Sequence, residues 1–312
     1  MTLFRNERGQ AGVLTVIYLT ALIGMLALVL DVGSWFREQR DAQVAADASA
    51  LAAAQALPED PARGDALAAE YLTKNRGGTP EVTYSSEFTT NDTVKVHVAR
   101  TAPGFFAKIF GIDSVDVGAS ATARASGLEA ARWVAPITVN IAHPKLNCGE
   151  LHGKPVPCFG DATELTLEHL HSPGDGDAAG AFTLINLDEG DAGSVGGSTL
   201  GDWIEQGFDK YMKLGDYTSV PSAKFNDSHV KDALDHRNGD TLLFPIYSTI
   251  TGSGSGAVYD IIGWVGFKLS GFAATGSTAK VYGAFTKVIW EGIPAAGGGA
   301  LNYGVRSIEL VD

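Results

Sequence analysis

The side chains best suited to chemistry stand close together: His143, Cys148, His152 and Cys158 place two imidazoles and two thiols within 16 residues. Those are zinc ligands by type. Zinc sites, however, draw on spacings such as C-x2–4-C and H-x3–5-H, and the intervals here match no such arrangement. The chain has 2 cysteines in all. The segment between them, GELHGKPVP, carries Gly149, Gly153, Pro155 and Pro157, residues that turn a chain sharply. A disulfide between Cys148 and Cys158, closing that loop, is therefore the expectation, worth about 2–3 kcal/mol in the chain-entropy picture.

Other candidates are weaker. His169 and His171 share a face if they lie in a strand, yet no third ligand stands at a diagnostic distance. The acidic groups Asp175/Asp177 and Asp188/Glu189/Asp191 do not follow the calcium-loop pattern, so solvated loops are expected. Gly252 to Gly256 alternates glycine with serine, but a phosphate loop needs a strand before it and a helix after it. Strand leads to strand here, and a hairpin turn is expected. Gly193-Ser194-Val195-Gly196 lacks the first glycine of a nucleophile elbow, because Ala192 stands there. No nucleophile–histidine pair or acid–base dyad emerges from spacing, so the reading is non-enzymatic, with no cofactor or metal.

The elements that must carry these residues begin with a helix. Residues 11–30 (AGVLTVIYLTALIGMLALVL) are 20 residues without a charge. At 1.5 Å per residue they extend about 30 Å, the thickness of a bilayer's hydrocarbon core. Arg5 and Arg8 precede the run and Asp31 closes it. The positive-inside rule then leaves the N-terminus in the cytoplasm and the C-terminal region outside, a single-pass protein of the cytoplasmic membrane. A cleaved signal peptide fits less well: its apolar core is typically about 7–15 residues. The nearest Ala-x-Ala, Ala46-Asp47-Ala48, also lies well beyond the run. Nothing stops the helix at the membrane face, and it is predicted to continue to Pro58. Residues 42–56 hold 9 alanines, with Val44, Ala48 and Leu51 at i, i+4 and i+7. This stretch reads either as a solvated stalk or as a small-residue face on which a neighbouring helix packs.

Beyond the helix, residues 61–75 suit a second helix opened by Pro61 and ended by Gly77-Gly78. Alternation then predicts two strands. One carries Val94, Val96 and Val98 on a single face, the other Val115, Val117, Ala119, Ala121 and Ala123. Between them PGFFAKIFG is predicted as a short helix with Phe105, Phe106, Ile109 and Phe110 pointing inward. The whole reads as an α-β-β-α-β unit. Strands are expected over 133–141, 164–170, 181–187, 241–250, 258–269 and 279–290. Hairpin turns are expected at 252–256 and 271–276, and Pro245 marks an edge or bulge. Two helices are expected among them. Thr199 caps the first, with Leu200, Trp203, Ile204, Phe208 and Tyr211 on its apolar face. Asn226-Asp227 opens the second and Asn238-Gly239 ends it.

The class is α+β: a transmembrane and stalk helix (1–57), a small α-β-β-α-β unit (58–127), and an antiparallel β-rich extracytoplasmic domain (128–312). A net charge of −13 argues against a nucleic-acid partner.

The block from Arg8 to Leu57 resembles the TadE/TadG-like N-terminal module of Flp (tight-adherence) pilus assembly. Arg8-Gly9-Gln10 precedes the apolar run and Asp31-Val32-Gly33 closes it; an Arg-rich turn, Gln43-x3-Asp47 and the alanine run follow. The resemblance implies a bitopic envelope protein that assists or anchors a type IV-like pilus, with pilins or other assembly proteins as partners of the N-terminal helix. A cut after Gly9 would put Leu14 where type IV prepilins carry glutamate, which favours an accessory anchor over a pilin subunit. The alternative is a surface-anchored binding or adhesion module, and an exported hydrolase stands third.

Overall fold

The structure is a computed structural model, in which residues 7–151, 154–166, 182–188, 195–252, 256–275, 278–295 and 301–311 are described. The chain forms two compact units. The first comprises Met1–Glu87, Asn91–Arg124 and Glu309–Asp312, and the second Phe88–Thr90 and Ala125–Ile308. The long helix and the α/β elements that follow it thus lie in one unit, where the sequence reading drew a boundary after residue 57.

In the first unit, helix α1 spans Glu7–Ala54 and α2 spans Pro61–Lys74. Helix α1 stops before Pro58, its last carbonyls taken up in a turn by Gln55, Ala56 and Leu57. Pro61 sits in the first turn of α2, and the Asp60 carboxylate accepts from the Arg63 N–H as its N-cap. Strands β1 (Thr79–Ser85), β2 (Thr93–Pro103) and β3 (Ser114–Ser126) pair antiparallel in that order, Val96 lying opposite Val82 and Ala121. Val94, Val96, Val98, Ala121 and Ala123 are buried on one face. Helix α1 packs against α2 and β2. Gly64 permits the close approach of α2, since a Cβ there would lie 2.7 Å from Tyr84 Oη and 3.2 Å from the Ala53 carbonyl oxygen. Near the C-terminus, Val311 donates its N–H to the Thr122 carbonyl.

The second unit opens with β4 (Leu128–Ala131), β5 (Ile137–Asn140), the hairpin β6 (Gly149–Leu151) and β7 (Lys154–Val156), then β8 (Thr163–Thr166) and β9 (Phe182–Leu184). Helix α3 (Gly197–Glu205), strands β10 (Met212–Lys213) and β11 (Gly215–Thr218), and helix α4 (Ser228–His236) follow. The chain closes with β12 (Thr241–Thr251), β13 (Val258–Thr275), β14 (Thr278–Thr286), β15 (Val288–Ile289), β16 (Gly292–Pro294), β17 (Leu301–Tyr303) and β18 (Val305–Leu310). Its main sheet runs β8-β14-β13-β12-β5-β9, and β11 and β17 also pair with β13. Two apolar clusters fill the unit. One gathers Phe244, Phe267 and Phe285 with residues of α3 and α4, the other gathers Trp264, Tyr259 and Tyr247 with Leu128 and Phe208.

The class is α+β, as the sequence implied, with several local differences. Gly271 lies within β13 at a register shift rather than in a turn, because β13 runs on to pair with β14 as far as Thr275. The run expected over 279–290 divides after Thr286: Val288 leaves β14 and pairs parallel with Val305. Helix α3 is capped by Gly196, not Thr199, and it ends before Phe208 and Tyr211. Phe208 is nonetheless buried, through a bridge to Val134, whereas Tyr211 is exposed. Pro245 lies in an interior strand, one residue before a register shift.

Candidate functional site

The first unit holds a long uncovered apolar surface. Helix α1 is, among the described residues, the one helix long and apolar enough to cross a membrane, and none of its most apolar window is covered by the chain itself. The threonine hydroxyls inside the apolar run are satisfied within the helix. Thr15 and Thr20 donate their hydroxyls to the carbonyls of Ala11 and Val16, at 2.9 and 2.8 Å. Internal satisfaction is what a hydrocarbon surrounding demands.

The apolar run ends in a latch. Asp31 is fully buried and its carboxylate accepts backbone N–H bonds from Phe105, Phe106 and Ala107. These amides open the 3-10 turn Ala107–Phe110, which sits at the tip of the β2–β3 connection. The tip is closed on itself by Gly104 N–H to Asp113 O (2.9 Å) and Ile112 N–H to Ala107 O (3.1 Å). Gly104 is required for that closure, since a Cβ there would lie 2.5 Å from the Ile112 carbonyl oxygen. Four residues after Asp31, Trp35 donates its indole N–H to the Pro103 carbonyl at 3.1 Å. With its backbone held from below, the tip turns its large side chains outward. Phe105 is 63% exposed, Ile109 80% and Phe110 77%, and Phe106 is exposed as well. The expectation that these four point inward is therefore corrected: the small Ala107 is what the tip buries.

Above the latch the helix is covered by its own unit. Ala42, Ala45, Ala46, Ser49, Ala50 and Ala53 are buried, positions three and four apart that form one helix face. The alanine stretch is thus not a solvated stalk. Polar contacts fix its edges. Gln43 donates to Asp47 Oδ1 (2.7 Å) and to the Ser120 carbonyl (3.2 Å), and Arg76 pairs with Asp41. Half-buried Arg100 donates to the Asn75 carbonyl and stands 4.0 Å from Glu38. Of the face singled out in the sequence, Val44 is 58% exposed, while Ala48 and Leu51 are half-buried.

Residues 9–56 match the Tad family, described as putative Flp pilus-assembly TadE/G-like. The Tad-like segment takes in the membrane-length run, the Asp31 carboxylate of the latch and the covered stalk, and it ends just past the end of α1. Gln43 and Asp47, which carried the resemblance in the sequence, bond to each other in this segment and tie it to β3. No curated protein and no solved structure matches the chain.

The second unit contains the cysteine–histidine cluster. Cys148 and Cys158 are disulfide-bonded, their Cα atoms 5.3 Å apart, and the bond closes the β6–β7 hairpin. His143 is buried, with Nδ1 accepting from the Lys145 N–H at 3.1 Å as the cap of a 3-10 turn and its ring edge-on to Phe285. Burial, and then the nearby Lys145, pushes its imidazole below the usual histidine range. A neutral, capping imidazole is a packing element. His152, His169, His171, Asp175, Asp177, Glu189, Asp191, Gly193 and Ser194 lie outside the described residues, as do residues 253–255. Asp188 is paired with Lys210 at 3.2 Å. Among the described residues no group of three His, Cys, Asp or Glu side chains converges as a metal site.

Sequence reasoning missed the latch and the apolar tip. The signals were present: a lone carboxylate directly after an uncharged run, and four large apolar residues in a short segment bounded by Gly104 and Gly111.

Proposed function

We propose that the chain is a membrane-anchored, non-enzymatic accessory protein of a Flp pilus-assembly system. The match of residues 9–56 to putative Flp pilus-assembly TadE/G-like proteins carries this reading. Residues 11–30 cross the bilayer. Arg5 and Arg8 keep the N-terminus in the cytoplasm, and the residues after Asp31 lie outside it. The partners are pilins or other pilus-assembly proteins, met through the flank of the stalk that carries exposed Val44 and half-buried Ala48 and Leu51. A small-residue flank of this kind lets another helix approach closely.

Deletion of the chain, scored by surface pili, tests the role: loss or marked reduction of pili is expected, and unchanged piliation overturns it. Crosslinking from a photoreactive residue at position 44 should capture pilins or assembly-platform proteins. Capture of only a host-surface glycan or protein would favour an adhesion module instead. Orientation is read by adding protease outside spheroplasts. Residues after Asp31 should be cleaved and the first ten protected, whereas a soluble product beginning near Asp47 would indicate a removed signal peptide.

A further inference from the structure

We propose that the tip of the β2–β3 connection, residues 104–112, is a second membrane contact that dips into the lipid headgroup region beside the transmembrane helix. The inference rests on the reading of residues 11–30 as a membrane span. Phe105, Phe106, Ile109, Phe110 and Ile112 are all exposed, a cluster of large apolar side chains on one short tip. Soluble surfaces rarely gather such a patch without something to cover it.

What covers it follows from where it is fixed. The Asp31 carboxylate holds the amides of Phe105, Phe106 and Ala107, and Asp31 is the next residue after the uncharged run. The tip is therefore pinned at the level where the span ends, and a bilayer that surrounds the span reaches the tip as well. The surrounding residues are those of an interface. Trp35, bonded to Pro103, and exposed Phe36 stand just past the span, and aromatic rings collect at headgroup level. Lys108 is exposed between the apolar residues, placed for a lipid phosphate while its stem lies along the acyl boundary. Apolar faces of this kind enter a membrane by about 5–10 Å. The latch also disposes of the backbone problem, because the amides that open the turn already have an acceptor and need no water.

Two anchoring points constrain more than one. A single helix leaves its exported unit free to swivel about the helix axis, whereas a helix and a fixed apolar tip set the unit's rotation and tilt on the membrane. A defined tilt would determine which flank of the stalk is offered to a neighbour.

The test uses the full chain in phosphatidylcholine–phosphatidylglycerol vesicles. Single cysteines at Ile109, Phe110, Leu22 and Lys95 carry a nitroxide, the native cysteines being paired with each other. Collision with oxygen, which partitions into lipid, is compared with collision with a water-soluble nickel chelate. Labels at 109 and 110 should favour oxygen severalfold, as at 22 and opposite to 95. Nickel access at 109 and 110 equal to that at 95, with 22 still in lipid, overturns the second contact and leaves the span standing. Nickel access at 22 as well overturns the span and the proposal with it. Low access to both reagents at 109, with dipolar broadening between copies, means that a second copy covers the tip, and it too overturns the proposal.

Discussion

Helix α1 has two halves of similar helical form and opposite circumstances. The lower half, residues 11–30, is rich in large apolar side chains that the rest of the chain leaves exposed; Leu14, Ile17, Leu22 and Leu26 are each more than half exposed. The upper half, residues 42–54, is built of small residues, and one face of it is fully covered by α2 and the sheet. Side-chain size explains the division. Large apolar groups on a helix need an apolar solvent, whereas alanine lets a second backbone approach until the protein itself becomes the solvent. Asp31 stands at the junction. It belongs to neither half, and its charge is absorbed by three backbone amides.

The comparison is most exposed to a change at that junction. Asp31→Ala leaves three amides without their acceptor and should destabilise the tip by about 4 kcal/mol. Hydrogen exchange at residues 105–107 of the full chain should rise sharply, and unchanged exchange would mean that the carboxylate holds nothing. Asp31→Asn, which retains one carbonyl oxygen, should lie between. Next comes the span. Leu22→Arg at its centre should disfavour insertion by about 3 kcal/mol and increase the fraction released by alkaline carbonate. Equal retention of both proteins would remove the bilayer from the argument.

The two halves can then be set against each other with a single exchange. Ala50→Leu forces a larger side chain into a fully buried position and should lower the unfolding free energy by about 1–3 kcal/mol. Ala21→Leu, in the uncovered half, should leave it unchanged. Equal effects at the two positions, measured by thermal unfolding in detergent, would erase the distinction between halves. The smallest expected effect sharpens it. Ser49 is buried and its hydroxyl has no hydrogen-bond partner. Ser49→Ala should be neutral or stabilise the unit by no more than about 1 kcal/mol, since it removes an unpaired polar atom and keeps the size. A clear loss of stability would show that the covered face requires a polar group there.

Much of this was legible in the chain. The membrane-length run follows from hydropathy and length. The family resemblance follows from local order along fifty residues, and the Val94/Val96/Val98 face from a period of two. The disulfide followed from two cysteines and the turn residues between them. These features depend on neighbours in sequence, which the sequence states directly. The tertiary structure decided the rest. Which face of the stalk is covered could not be read from periodicity, because 9 of the 15 residues over 42–56 are alanine, spread around the helix, and they leave little contrast between faces. The direction of Phe105, Ile109 and Phe110 could not be read either. Hydrophobicity tells that a side chain avoids water, and it does not tell whether a protein core or something outside the chain receives it. The partners of Asp31 lie 74, 75 and 76 residues further along, and only folding brings their amides to its carboxylate.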